Sequence, residues 1–138
     1  MNIKPYCQKD KSWKNLKIGK SNLTLSSSGC YIVSISMILR KIPSIVLEVL
    51  NKNDCFTPEG ALLNDKAANV LGMVYSKVLT DPKKVCIMET DSNKVYGVPQ
   101  HFVVWLGNGF ICDPLTGSMV HNKYHPVSFR TWDKRSLA

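Results

Sequence analysis

The sequence predicts an α+β fold in which helices come first and an antiparallel sheet follows. Residues 30–71 place apolar side chains at helical spacing and carry capping and stop signals. Residues 73–132 hold short β-branched and aromatic runs separated by turn residues. Because helices precede strands instead of alternating with them, the sheet is expected to be antiparallel.

Composition is that of an ordinary globular protein. The chain has 138 residues, of which 44% are hydrophobic and 20% are charged. We therefore expect a single domain over residues 1–138. No apolar run approaches the ~20 residues that span a bilayer, so no membrane span is expected. The polar segment Met1–Asp10 lacks a secretory signal, which predicts a protein that is cytoplasmic, or released or virion-associated without a signal peptide.

The chain is strongly basic. Lys and Arg number 18 against 10 acidic residues, a net charge of +8. Such a charge favours anionic partners such as nucleic acid, cell-wall polymers or acidic proteins. The lysines are scattered, however, and no arginine-rich arm is present. We therefore interpret the charge as a soluble basic surface and expect no nucleic-acid partner; the sequence leaves the oligomeric state open.

The N-terminal half begins with an ordered wrap over Pro5–Leu25, for which Trp13, Leu16 and Ile18 are the expected anchors. A serine-rich turn ending at Gly29 starts an apolar helix over Cys30–Lys41.

Two further helices are predicted after Lys41. Ser44–Asn51 carries apolar residues on one face, and Pro43 either ends the preceding helix or begins this one. The other helix is expected to start with Thr57 as cap and to end at Gly72.

The second half predicts five strands: Met73–Val78, Val85–Glu89, His101–Leu106, Phe110–Asp113 and Val127–Trp132. The aromatic residues of these strands are expected to form sheet core and not a base-stacking surface; they are Trp105, Phe110, Phe129 and Trp132.

Five cysteines are present, and no two form a C-x-x-C pair. The odd number argues against a disulfide framework and against a zinc site, so free thiols in a reducing compartment are expected. Cys86 and Cys112 fit small core residues of strands. His121 and His125 lack a neighbouring Glu, and Pro126 follows them, so no metal and no cofactor is expected.

Cys30 differs from the other cysteines because it opens a helix after Ser28 and Gly29. Unpaired backbone N–H groups and the helix dipole favour an anion at that position. Gly29 would permit a substrate backbone to approach closely. The alternative is a structural cysteine of a core helix.

His101 and Asp113 are the candidate partners of Cys30. His101 begins a strand after a turn at Gly97 and Pro99, at a sheet rim where it could act as a base. Asp113 ends the next strand and could orient the imidazole. Each has a simpler interpretation, a rim histidine without function and an Asp-Pro turn.

The hairpin between these strands makes their pairing testable. A three-residue loop at 107–109 would set Leu106 opposite Phe110 and Val103 opposite Asp113, with His101 on the same face. A two-residue turn at Asn108-Gly109 would shift the register by one and put His101 and Asp113 on opposite faces. The proposed chemistry therefore predicts the three-residue loop.

Together these residues resemble a known family. The matching segments are Tyr6-Cys7-Gln8-Lys9-Asp10 with Trp13, Ser28-Gly29-Cys30, Thr57-Pro58, His101–Val104 with Gly107, and Asp113-Pro114 with Gly117. They are similar to the papain-like cysteine peptidases of the bacteriocin-leader-processing (C39-like) type and their short single-domain bacterial and phage relatives. The resemblance spans Tyr6 to about Gly117, and the tail beyond it is unmatched.

The resemblance implies a papain-like fold, with the cysteine at a helix N-terminus packed on the sheet, and a thiol hydrolase that cleaves peptide or isopeptide bonds through an acyl-enzyme. Cys30 would be the nucleophile, His101 the base and acid, and Asp113 the group that holds the imidazole. Gln8 would donate to the oxyanion beside the backbone N–H of Cys30, or would simply be a polar residue of the wrap. The implied partner is a peptide or protein substrate.

Three alternatives stay open. The first is a phage-type peptidoglycan endopeptidase or amidase that cleaves cell-wall peptide, which the basic charge would suit. The second is an inactive papain-like scaffold with a binding or virion structural role. A nucleic-acid binder is the third, and it rests on charge alone.

Overall fold

A computed structural model describes residues 2–91 and 100–136 of the chain. Within them the helices are α1 (Leu25–Ser28), α2 (Cys30–Leu39), α3 (Pro43–Lys52) and α4 (Asn64–Leu71). The strands are β1 (Met73–Val78), β2 (Cys86–Thr90), β3 (His101–Trp105), β4 (Phe110–Asp113), β5 (Ser118–His121) and β6 (Pro126–Lys134). All four helices precede all six strands, which confirms the predicted α+β order. The turn predicted at Gly97 and Pro99 lies outside the described residues.

The six strands form one antiparallel sheet in the order β1-β6-β2-β3-β4-β5. In the β3–β4 hairpin, Val104 pairs with Cys112 and Trp105 pairs with Ile111. The Leu106 N–H donates to the Phe110 carbonyl at 3.1 Å. This register confirms the three-residue loop, so the end of β4 and the beginning of β3 meet at the same rim of the sheet.

Helix α2 is the central helix and packs against β3. Most of its side chains are buried, including Ile32, Val33, Ile35 and Met37, because the segment is apolar on most faces. It begins at Cys30, as predicted, but ends at Leu39, two residues early, because Arg40 adopts a left-handed conformation (φ 58°) that cannot continue the helix.

Helices α3 and α4 test the predicted helix starts. Pro43 takes the first position of α3, where its missing N–H costs no hydrogen bond. The start predicted for α4 at Thr57 is wrong, since α4 begins at Asn64. Gly60 has φ +92°, a conformation that no α-helix contains, so Thr57–Ala61 closes as a turn in which the Thr57 hydroxyl accepts the Ala61 N–H at 3.0 Å.

Two elements, α1 and β5, were not predicted from the sequence. Helix α1 is a single turn with a capping box between Thr24 and Ser27, inside what was expected to be a turn. Strand β5 is a mostly exposed edge strand paired only with β4, so it lacks the apolar alternation that marks a half-buried strand.

The predicted anchors and core aromatics are mostly buried. Trp13 and Ile18 lie in the core, whereas Leu16 is 41% exposed, so its predicted role as an anchor is wrong. Phe129 and Trp132 are buried, and Trp105 and Phe110 are half-buried, in keeping with sheet packing.

No single helix of the described residues is long and apolar enough to cross a membrane; α2 and α3 reach that length only as a pair bent by 108°.

Candidate active site

Cys30 is the first residue of α2, and its side chain is half-buried. The preceding turn, α1, is fixed by its capping box and ends at Gly29. The backbone N–H groups of the first turn of a helix have no partner within it, so α2 directs unpaired donors and the positive end of its dipole toward the Cys30 sulfur. Local sequence thus places a thiol where negative charge is stabilised.

The structure gives Gly29 a packing role that the sequence did not suggest. A Cβ at this position would lie 2.5 Å from the Leu25 carbonyl oxygen and 2.6 Å from the Leu25 Cα. The backbone that approaches Gly29 within the chain is therefore that of α1. Glycine is needed because Gly29 is the only residue between α1 and α2, and the two helices leave no room for a side chain there.

His101 and Asp113 form a direct pair at the sheet rim. His101 Nε2 lies 2.9 Å from Asp113 Oδ1, and the two residues are 2% and 1% exposed. Because Asp113 engages Nε2, the other ring nitrogen, Nδ1, is the one left for a second partner.

That second partner is Cys30. Burial lowers the pKa of His101, but the hydrogen bond with Asp113 and the influence of the nearby Cys30 sulfur outweigh burial and raise the pKa to about 9. The imidazole thus bonds the Asp113 carboxylate and lines the same cleft as the Cys30 side chain. The fold brings together three side chains that are 71 and 12 residues apart in the sequence.

Asp113 stays charged despite its burial. Burial alone raises the pKa of a carboxyl group, but hydrogen bonds from His101, from the Tyr124 hydroxyl and from the Leu115 N–H outweigh it and hold the pKa of Asp113 below its usual range. Tyr124 Oη lies 2.5 Å from Asp113 Oδ2, and the Leu115 nitrogen lies 3.0 Å from Oδ1. The carboxylate is thus bonded on both oxygens.

Gln8 lies in the same cleft, on the N-terminal wrap. Its side chain is buried, and Nε2 donates to the Ser26 carbonyl at 3.1 Å, which leaves one N–H of the amide unused by Ser26. The amide oxygen, Oε1, is buried and has no hydrogen-bond partner among the residues that the structure describes. The backbone N–H of Gln8 donates to the Pro114 carbonyl at 2.8 Å, which ties the wrap to the end of β4.

The neighbours of Gln8 explain the spacing of its motif. Asp10 caps a turn by accepting the Ser12 N–H at 2.8 Å, and the Trp13 indole donates to the Cys7 carbonyl at 2.8 Å. Gly117 (φ +69°) lets the wrap lie against the sheet, since a Cβ there would be 2.8 Å from Cys7 Cβ. These contacts fix the segment that carries Gln8.

A cleft of about 550 Å³ connects these groups. Its lining includes Gln8, Cys30, His101 and Ser28. It also includes Gly60 and Ala61, which belong to the loop before α4. That loop is linked to α2 through the Tyr31 hydroxyl, which donates to Asn64 Oδ1 at 2.6 Å. An extended backbone could lie between the two walls, beside the sulfur.

The remaining cysteines are separate from this arrangement. All five thiols are free, and Cys55, Cys86 and Cys112 are buried. Burial raises the pKa of Cys86 to about 12 and that of Cys112 to about 11, as expected for core thiols. Cys7 is half-buried like Cys30, but its sulfur donates to a backbone carbonyl, that of Leu115, at 3.6 Å.

The structure adds one residue that sequence reasoning missed, Tyr124. It follows β5, in the tail beyond Gly117 where the family resemblance ends, and no local pattern marks it. Its position next to Asp113 depends on the β4–β5–β6 path.

Among residues 2–91 and 100–136, no three His, Cys, Asp or Glu side chains converge as a set of metal ligands.

Comparison with known proteins adds no relatives: no protein-family model, curated protein or solved structure matches the chain. The geometry of the cleft is therefore the basis for assigning a function to this chain.

Proposed function

We propose that this protein is a papain-like cysteine peptidase that cleaves peptide or isopeptide bonds through an acyl-enzyme. The observation that carries the proposal is the position of His101, which bonds Asp113 through Nε2 and lines the same cleft as Cys30. A helix-terminal thiol, an imidazole and a carboxylate in this sequence form a nucleophile, a proton carrier and an orienting group. Their place in an open cleft supports the proposal further.

The residues suggest the following steps. The Cys30 sulfur, as thiolate, attacks the substrate carbonyl carbon and forms a C–S bond. The developing oxyanion is held by the Gln8 side-chain N–H and the Cys30 backbone N–H. His101, which carries a proton at neutral pH because its pKa is about 9, donates it to the leaving nitrogen as the C–N bond breaks.

The second half of the reaction returns the enzyme to its starting state. Neutral His101 takes a proton from water, whose oxygen attacks the thioester carbon. The C–S bond then breaks and Cys30 leaves as thiolate. Asp113 stabilises the imidazolium in both halves without taking its proton.

Thiol reactivity tests the activation of Cys30. Iodoacetamide labelling at pH 7, read by mass spectrometry at each cysteine, should modify Cys30 at least about tenfold faster than Cys7, because an ordinary thiol is only a few per cent thiolate at that pH. Cys7 is the matched control since it is equally half-buried. His101→Ala should slow Cys30 toward the rate of Cys7 without changing Cys7. Equal rates for the two thiols in the unmodified protein would contradict the proposal.

Hydrolysis requires a separate experiment. The protein and its Cys30→Ala variant are incubated with a peptide library derived from a whole proteome, and new peptide termini are identified by mass spectrometry. We expect cleavage only with the unmodified protein. A reactive Cys30 without any new termini would instead favour the inactive-scaffold alternative, which the sequence left open.

The distribution of charge favours a second candidate, a cell-wall endopeptidase. Residues 1–47 contain eight Lys and Arg residues and one acid, Asp10, so most of the net charge of +8 lies in the N-terminal third that also carries Gln8. An excess of positive charge in this segment would draw the enzyme to anionic wall polymers. Clearing of turbid purified sacculi, absent with Cys30→Ala and weaker at high salt, would support this substrate; stable turbidity would count against it.

A further inference from the structure

Tyr124 completes a chain of buried hydrogen bonds that begins at the cleft. Its hydroxyl lies 2.5 Å from Asp113 Oδ2, while His101 Nε2 lies 2.9 Å from Asp113 Oδ1. Tyr124 is 4% exposed and Asp113 is 1% exposed, so bulk water does not replace either bond. The order of contacts is Cys30, His101, Asp113, Tyr124.

We infer that Tyr124 is a positioning residue of the proposed triad, which holds the Asp113 carboxylate in its charged form and in the orientation that serves His101. The inference rests on the proposed function for its catalytic meaning. The coupling between Tyr124 and Asp113 can be tested by measurements of stability, which require no enzymatic activity.

The two carboxylate oxygens have different partners, and this asymmetry carries the inference. Oδ1 accepts from His101 and from the Leu115 N–H, at 2.9 and 3.0 Å. On the opposite side, Oδ2 accepts from the Tyr124 hydroxyl. Rotation of the carboxylate about its Cβ–Cγ bond would break the Tyr124 bond, so that bond keeps Oδ1 directed at the imidazole.

Tyr124 is itself held in place. The Asn122 side chain accepts the Tyr124 N–H at 3.0 Å and donates to the Tyr124 carbonyl at 3.1 Å. The Tyr124 ring also meets the His101 ring edge-on, with centroids 5.5 Å apart. The backbone of the connection between β5 and β6 is therefore held in place where it positions the Tyr124 hydroxyl against Asp113.

Charge at this end of the sheet is balanced around Asp113. The titratable groups that face its carboxylate are His101 from β3 and Tyr124 from the β5–β6 connection. Cys30 of α2 lies on the far side of His101, and the Lys123 ammonium lies 5.8 Å from the centroid of the Tyr124 ring. A buried carboxylate in such a place needs donors to remain ionised, and Tyr124 supplies one of three.

The first test is a double-mutant cycle on stability across pH. Tyr124→Phe keeps the ring and removes the hydroxyl. It should destabilise the protein at pH 7, and the destabilisation should shrink as the pH falls through the lowered pKa of Asp113, because a protonated Asp113 accepts a weaker hydrogen bond. In an Asp113→Asn background most of the effect should disappear. Tyr6→Phe is the matched control and should show no such pH dependence. A cost that is constant with pH and additive with Asp113→Asn would reduce Tyr124 to a packing residue.

The second test reads the triad. Tyr124→Phe should slow iodoacetamide labelling of Cys30 by about tenfold while Cys7 is unaffected, since a hydrogen bond to a buried charge is lost. Asn122→Ala, which loosens Tyr124 but keeps its hydroxyl, should give a smaller loss and is the fallback if Tyr124→Phe does not fold. Labelling of Cys30 that is unchanged in Tyr124→Phe would overturn the catalytic half of the inference. If the unmodified protein shows no enhanced Cys30 labelling at all, the proposed function fails while the stability cycle still decides the coupling.

Discussion

His101 Nε2 and Asp113 Oδ1 are 2.9 Å apart because a three-residue turn sets the register of the hairpin that carries them. Because Val104 pairs with Cys112, the next position of the register puts Val103 opposite Asp113. His101 precedes Val103 by two residues on the same strand, so its side chain lies on the same face of the sheet as that of Asp113. A turn shorter by one residue would turn one of them to the other face. The geometry of the site is thus linked to the length of a surface loop.

The His101 imidazole should remain protonated well into the alkaline range. Its pKa of about 9 results from the hydrogen bonds and charges of Asp113 and Cys30, which outweigh the opposing effect of burial. Histidine ring signals followed by NMR between pH 5 and 10 should show a midpoint near 9, assigned by its loss in His101→Gln. Asp113→Asn removes a negative charge and should lower the midpoint. An unchanged midpoint in that variant would show that Asp113 does not set the charge of His101.

The same group should make stability depend on pH. Because the folded pKa of His101 is raised above the unfolded value of about 6.5, its contribution is complete below that pH and is lost as the pH rises through about 9. The free energy of unfolding, measured in urea, should therefore fall over this interval. His101→Gln should flatten the fall, and a fall of equal size in both proteins would assign it to other groups.

Gln8→Ala should separate binding of the oxyanion from activation of the thiol. Loss of one oxyanion donor typically lowers kcat by ~10²–10³. Iodoacetamide alkylation has no carbonyl oxyanion, so the labelling rate of Cys30 should be unchanged in this variant. Gln100→Ala is the control, because Gln100 also lines the cleft but bonds Glu89 at 2.9 Å. Equal losses of peptide cleavage and labelling would indicate that Gln8 only supports the fold.

Gly29→Ala should destabilise the protein through a clash and not through backbone strain. Gly29 has φ −90°, which alanine adopts freely, but its Cβ would overlap the Leu25 backbone. Overpacking of this kind costs about 1–3 kcal/mol. Gly109→Ala is the informative contrast, since its Cβ would meet open space while φ is +87°, a strain of about 1–2 kcal/mol.

Only Gly29→Ala should also disturb Cys30, since it alone displaces the start of α2. Urea unfolding combined with Cys30 labelling distinguishes the two variants. Normal stability of Gly29→Ala would mean that α1 and α2 meet less closely than described.

Local signals in the sequence determined most of the elements and the position of the thiol. The apolar run after Gly29 predicts α2 with Cys30 at its start, and the β-branched runs predict five of the six strands, because periodicity and capping act within a few residues. At Thr57 the same signal fits a helix start and a turn. The Thr57 hydroxyl does cap the following backbone, but it caps a turn, because Gly60 has a positive φ that no helix could continue through.

The tertiary structure alone decided which distant groups share an environment. Tyr124 has no local pattern, yet the path from β4 through β5 to β6 delivers its hydroxyl to Asp113. The close packing of Gly29 against Leu25 was likewise not predicted, since no local pattern marks it. Periodicity records which side of a segment is buried, but it carries no information on what lies across the core. Hydrogen-bond partners and the resulting charges of His101 and Asp113 follow from contacts between segments, and only the folded chain fixes those.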